Sequence, residues 1–216
     1  MSNIIRVLWQ PNRTLSRFAC GEISVIPLFV LVLLVDLMVA ISLMPYMKES
    51  ISRAVTDSGQ GAMGYESIVL SISVITATVT PILILAFVAI LMLLLVMIFD
   101  GKTSYSSIFG MLLAASIPAL IARAGRGGAY VARLTDNPSQ GVTSLGYYVP
   151  EFGDGHWNQL LNGVDILDLW TFVLVVFGLH VVTDLKRAPS YGIALFIWGG
   201  LQLVYFRALM LTEAPL

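Results

Sequence analysis

A chain of 216 residues that is 57% hydrophobic, 12% charged and of net charge −1 carries more apolar surface than a water-soluble domain of that size can cover. This composition excludes a soluble globular domain and gives no pull towards nucleic acid. The single cysteine, Cys20, excludes an internal disulfide framework and reads as a small residue near a membrane surface.

Residues 1–20 alternate Arg6, Arg13 and Arg17 with Ile4, Ile5, Leu8, Trp9, Leu15 and Phe18, and Pro11 divides them into two short amphipathic pieces. This pattern suits a segment lying in the membrane interface with its arginines towards lipid phosphate rather than a secretory signal. A first span is predicted over Ile23–Met44, ended by Pro45. Asp36 sits inside it, in VLLVDLMVAI. A carboxylate at the centre of a span costs about 2.5 to 3.5 kcal/mol unless it meets a partner or water. It is either a proton, ion or ligand site, or a structural acid hydrogen-bonded to a neighbouring helix or paired with a buried arginine.

Residues 47–66 hold Lys48, Glu49, Arg53, Asp57 and Glu66 with Gly59, Gly61 and Gly64, an aqueous loop with room for a helical start. From Ser67 to Phe99 the chain is uncharged, longer than one span needs. Its second part, PILILAFVAILMLLLVMIF from Pro81 to Phe99, has no polar stripe and is the second span. Ser71, Ser73, Thr76, Thr78 and Thr80 belong to a lead-in helix expected to bend at Pro81. After a short turn at Asp100–Lys102, the third span covers Thr103–Ala122. Its small residues, Gly110, Ala114, Ala115 and Ser116, place it in the middle of a bundle, with a kink at Pro118.

The polar stretch 123–164 contains GRGG at 125–128, DNPSQG at 136–141 and EFGDGHW at 151–157. The glycine run lacks the strand and the Lys-Ser/Thr of a phosphate loop. Asp154 and His156 are only two of the ligands a metal would need, so no metal or other cofactor is expected. A fourth span, Asp165–Thr183, opens with Asp165 and Asp168 on one face of its first turn. They are a candidate outer-face acidic pair: the reading is that they cap the helix dipole, with contact to a cation or a partner as the alternative. His180 lies deeper in this span, as a hydrogen-bonding group between helices or a proton carrier. The fifth span is Ser190–Thr212, with Gly199 and Gly200 at its middle and Arg207 near its end. From there Arg207 could reach Asp36. Asp36, His180 and Arg207 form the candidate intramembrane polar site.

The basic residues divide evenly in this layout. Arg6, Arg13, Arg17, Lys102, Lys186 and Arg187 fall on one side, and Lys48, Arg53, Arg123, Arg126, Arg133 and Arg207 on the other. The weight near the first span, and the two tight basic turns, favour a cytoplasmic N-terminus.

The amphipathic start with Pro-Asn-Arg-Thr-Leu at Pro11–Leu15, the five hydrophobic spans and the two tight inner turns together resemble the bacterial branch of the Yip family. So does the segment VDILDLWTFVLVVFGLHVVTDLKRAPSYGIALFIWGGLQLV from Val164 to Val204. The family is named for interaction with Ypt/Rab GTPases. The resemblance implies a five-helix membrane bundle, N-terminus in the cytoplasm and C-terminus outside, in the inner membrane of a bacterium. It implies no catalytic residues, and the short N-terminal region does not carry over the GTPase contacts of the eukaryotic relatives.

The expected fold is thus an all-α polytopic membrane bundle of five transmembrane helices with an amphipathic N-terminal segment. The expected function is non-enzymatic: assembly with other membrane proteins or with itself, or organisation of lipid. A small proton- or ion-coupled transporter using Asp36 and His180 is the alternative, although no inverted repeat or pair of broken helices is visible in the sequence. A membrane enzyme with a metal held by Asp165, Asp168 and His156 is a third reading, unsupported by any HExxH or GxSxG motif.

Overall fold

The computed structural model describes residues 10–19, 22–57, 65–133, 143–148 and 165–212; the side chains of 12, 18–19, 54–57, 65–66, 146–147 and 202–212 lie outside that description. Among these residues every regular element is a helix: α1 (Pro11–Ala19), α2 (Ile26–Ser42), α3 (Met44–Asp57), α4 (Tyr65–Ile98), α5 (Tyr105–Ala115), α6 (Ile117–Val131), α7 (Leu145–Tyr148), α8 (Ile166–Val182) and α9 (Arg187–Thr212). The all-α expectation holds. Among the described residues, only Ser67–Ile98 within α4 is by itself long and apolar enough to cross a membrane. Two more candidates appear if α2 with Met44–Arg53 of α3, and α5 with α6, each count as one bent span. The apolar α8, at 17 residues, falls just short.

Prolines explain where these helices stop. The ring of a proline collides with the carbonyl four residues earlier, but fits the first turn of a new helix. Pro45 and Pro118 each stand two residues past a break, at Leu43 and Ser116, and each is the second residue of the helix that follows. Each break residue still bonds to the helix before it: Leu43 N–H donates to the Val39 carbonyl at 3.0 Å and Ser116 N–H to the Leu112 carbonyl at 2.9 Å. The chain bends by 51° at the first and 41° at the second. Pro45 therefore opens a second helix where the sequence suggested a loop with at most a helical start. The kink foreseen at Pro118 falls at Ser116, and the helix then runs on through the GRGG segment that read as loop.

Pro81 behaves differently. The foreseen division there into a lead-in helix and a span gives way to one helix of 34 residues. Carrying the helix through a proline leaves one carbonyl without its usual donor, whereas ending it in an apolar setting would expose several backbone groups.

The chain divides into two compact units. Unit 1 comprises Met1–Leu28, Leu85–Pro118 and Asp168–Leu216. Its centre is α5, where Ile108 and every residue from Gly110 to Ser116 are buried. The amphipathic α1 packs on α5 through the fully buried Leu15. Gly178 of α8 closes the same contact, since a Cβ placed there would lie 2.7 Å from Met111 Cγ and 3.2 Å from Leu15 Cδ1. α1 is thus packed on α5 as well as amphipathic. Unit 2 comprises Phe29–Ile84 and Ala119–Leu167, and it contains the buried polar groups considered next.

Candidate functional site

In unit 2, α6 runs alongside α2 and the start of α3, and three contacts in register define the pairing. Arg123 meets Asp36, with Nη1 2.9 Å from Oδ1. One turn on, Gly127 comes so close that a Cβ would sit 2.9 Å from Ser42 Oγ and 3.5 Å from Val39 Cγ1. Further along, Tyr130 sets its ring edge against Tyr46, centroids 6.0 Å apart and planes at 81°. The partner numbers rise together on both helices, so they run parallel. Of the three glycines of GRGG, Gly127 serves this approach, whereas a Cβ at Gly125 or Gly128 would meet nothing within 4 Å: with no side chain at Gly127 the backbones can close until the Arg123 guanidinium spans the remaining gap.

The Asp36 side chain is 3% exposed and that of Arg123 23%. The carboxylate is only half used, because Oδ2 is buried with no hydrogen-bond partner among the described residues. A buried carboxylate with one oxygen engaged can hold a helix in register, and it keeps a free acceptor for a proton, a cation or a donor group on a ligand. The sequence placed Arg123 in an outer loop and looked to Arg207 for this role. The arginine that meets Asp36 is Arg123; the side chain of Arg207, on α9, lies outside the described residues. The signal for Arg123 was present but faint: it is one of two arginines, with Arg126, in the small-residue run PALIARAGRGGA, and small residues let helices approach closely.

Asp165 is satisfied where Asp36 is not. It is 1% exposed, takes the Leu167 N–H on Oδ1 at 2.8 Å and the Thr143 hydroxyl on Oδ2 at 2.7 Å. The Ile166 N–H also reaches the Thr143 carbonyl at 3.2 Å. These bonds cap α8 and tie residues 143–144 to its start. Asp168, in the first turn of α8, is half-buried.

His180 belongs to unit 1. Its Nδ1 lies 3.2 Å from the Leu185 carbonyl, so the protonated nitrogen donates into the turn after its own helix. This bond fixes the α8–α9 turn. Asp154 and His156 lie outside the described residues. Among the residues described, no group of three or more His, Cys, Asp or Glu side chains is gathered as a metal would require.

The chain is 30% identical over 107 residues to a protein of Bacillus subtilis (strain 168) named Membrane protein YknW. The alignment covers 49% of this chain and 45% of that protein, so the chain spans less than half the length of this relative. No protein-family model matches the chain, and no solved structure matches it. The apolar α4 and the relative's name together mark the chain as a membrane protein.

Proposed function

We propose that the chain is a Yip-like inner-membrane protein that acts without catalysis, by assembling with other membrane proteins or with itself, or by organising lipid. The observation that carries this reading is a contrast in how polar and apolar groups are used. The described buried acids and the histidine hold helices together, as Asp36 with Arg123, Asp165 at the cap of α8 and His180 at its end. The long apolar α4, by contrast, leaves most of its surface uncovered, with only 28% of the span window buried. Such a surface meets either lipid or the helices of a partner. The parallel run of α2 and α6 fits a layout in which the first and third spans point the same way; the cytoplasmic N-terminus of this reading rests on the basic residues near the first span.

Native mass spectrometry of the protein drawn gently from its own membrane tests this. A defined membrane-protein partner, a self-assembly or a fixed lipid complement bound to the wild type is the expected result; a bare protein counts against it. The second reading, a small proton- or ion-coupled transporter, is favoured by the unengaged Oδ2 of Asp36 and by the pair of bent helices that bear Asp36 and Arg123. It requires flux in liposomes that disappears in Asp36→Asn.

A further inference from the structure

Unit 1 has a polar place of its own, where two turns meet. The first ends α4. Gly101 N–H donates to the Val96 carbonyl at 2.9 Å and Asp100 N–H to the Met97 carbonyl at 3.1 Å. Asp100 takes φ 58°, the left-handed residue that closes a helix in the Schellman pattern. The second turn ends α8 and is held by the bond from His180 to the Leu185 carbonyl. Gly101 presses on Leu185 so tightly that a Cβ would lie 2.8 Å from Leu185 Cγ.

This contact brings together the residues that follow each of its partners: Lys102 after Gly101, and Lys186 and Arg187 after Leu185. All three cations are exposed, and none is ion-paired among the described residues, although Asp100 and Asp184 occupy the same turns. Two helices start at this junction, α5 and α9, and their free N–H groups favour negative charge. Hydroxyls crowd the start of α5. Ser104 Oγ accepts the Ser107 N–H at 3.2 Å and lies 3.0 Å from Ser106 Oγ. Beside them the Thr103 hydroxyl oxygen is buried, with no hydrogen-bond partner among the described residues.

Tyr105 and Tyr191 stand in the first turn of α5 and the second of α9, each 39% exposed, with Tyr105 stacked on Phe109 at 5.7 Å. Exposed tyrosines at the start of apolar helices mark the level of the lipid headgroups.

We propose that this junction binds the phosphate of an anionic phospholipid headgroup. Lys102 and Lys186 supply the charge, Arg187 flanks them, and the helix starts beside them favour the anion. The inference requires that the chain lie in a membrane; it is independent of what the chain assembles with.

The test is lipid retention by the full-length protein in detergent, read by native mass spectrometry. Phosphatidylglycerol is titrated against phosphatidylcholine of the same acyl chains, and inorganic phosphate is added in a separate arm. The wild type is expected to prefer phosphatidylglycerol, and Lys102→Gln with Lys186→Gln to weaken that preference about fivefold per lysine removed. Lys48→Gln with Arg53→Gln, which removes as many charges from α3, should leave the preference unchanged. Lys102→Arg with Lys186→Arg should restore it, which separates loss of charge from loss of fold.

Equal retention of the two lipids by the wild type overturns the proposal, and so does an equal loss in the α3 control. Binding of inorganic phosphate with no lipid preference assigns the junction to a free anion and also overturns it. An acidic protein segment found bound there in place of lipid does the same.

Discussion

α4 and α5 follow each other in the chain and are both apolar, yet the greasier of the two is the less buried. Only 28% of the span window in α4 is covered by the rest of the protein, and Phe87 and Leu83 are 60% and 61% exposed. In α5, with its Gly110, Ala114 and Ala115, the whole run from Gly110 to Ala115 is buried. In water this order would be reversed. In a bilayer the tails of the lipid are as apolar as leucine, so hydrophobicity alone draws no helix inward. What places a helix at the centre is how closely its backbone can be approached and which polar groups it must match. Burial here therefore follows size and pairing.

That principle breaks first where a matched charge is removed. Arg123→Leu leaves the Asp36 carboxylate buried without its cation and should cost about 3 kcal/mol, seen as a lower unfolding temperature of the purified protein. Adding Asp36→Leu should recover most of the loss, because replacing both members of a buried pair by apolar groups is often neutral. If the double variant is as unstable as the single one, the pair is not what joins α2 to α6. Next in size is Leu15→Ala, which empties the contact that seats α1 on α5 and α8. It should cost about 2 kcal/mol and free α1 for proteolytic cleavage, whereas unchanged stability and protease resistance would mean that α1 is held by lipid alone. Smaller again is Gly178→Ala. The new Cβ meets the flexible end of Met111 at 2.7 Å, so the methionine can move aside and the expected loss is about 1 kcal/mol, measured in the same way. A loss as large as that of Arg123→Leu would show that the packing around α5 cannot adjust.

The sequence showed some of this and hid the rest, for reasons that can be traced to particular residues. The helical class followed from unbroken apolar runs, and the central place of α5 from its small residues. Breaks near Pro45 and Pro118 were legible because proline acts locally on the preceding turn. The continuation through Pro81 was not, since it depends on the setting around the helix. The helix over 117–131 was hidden because GRGG is a poor helix former by propensity; it forms because Gly127 lets α2 come within reach. For the same reason the partner of Asp36 was sought on the last span. A pairing between residues 87 positions apart is a fact of tertiary packing, and periodicity along the chain carries no trace of it. Asp165 was legible as a cap from its place before an apolar run, while its second bond, to Thr143, came only with the fold.

The smallest expected effect tests the exposed side of the comparison, and it is the one that bears on function. Leu83→Ala and Phe87→Ala on α4 remove apolar atoms that the protein itself does not cover, so each should change the stability of the purified chain by no more than about 0.5 kcal/mol. If α4 faces only lipid, the same substitutions should also leave unchanged whatever complex is recovered from the native membrane, and the assembly surface must then be sought on another helix. If α4 is where a partner docks, the purified protein will still unfold as the wild type does, while the amount of complex recovered with Phe87→Ala falls by severalfold. A large loss of stability in the purified chain would contradict both outcomes, because it would mean that these side chains are buried by this protein's own helices.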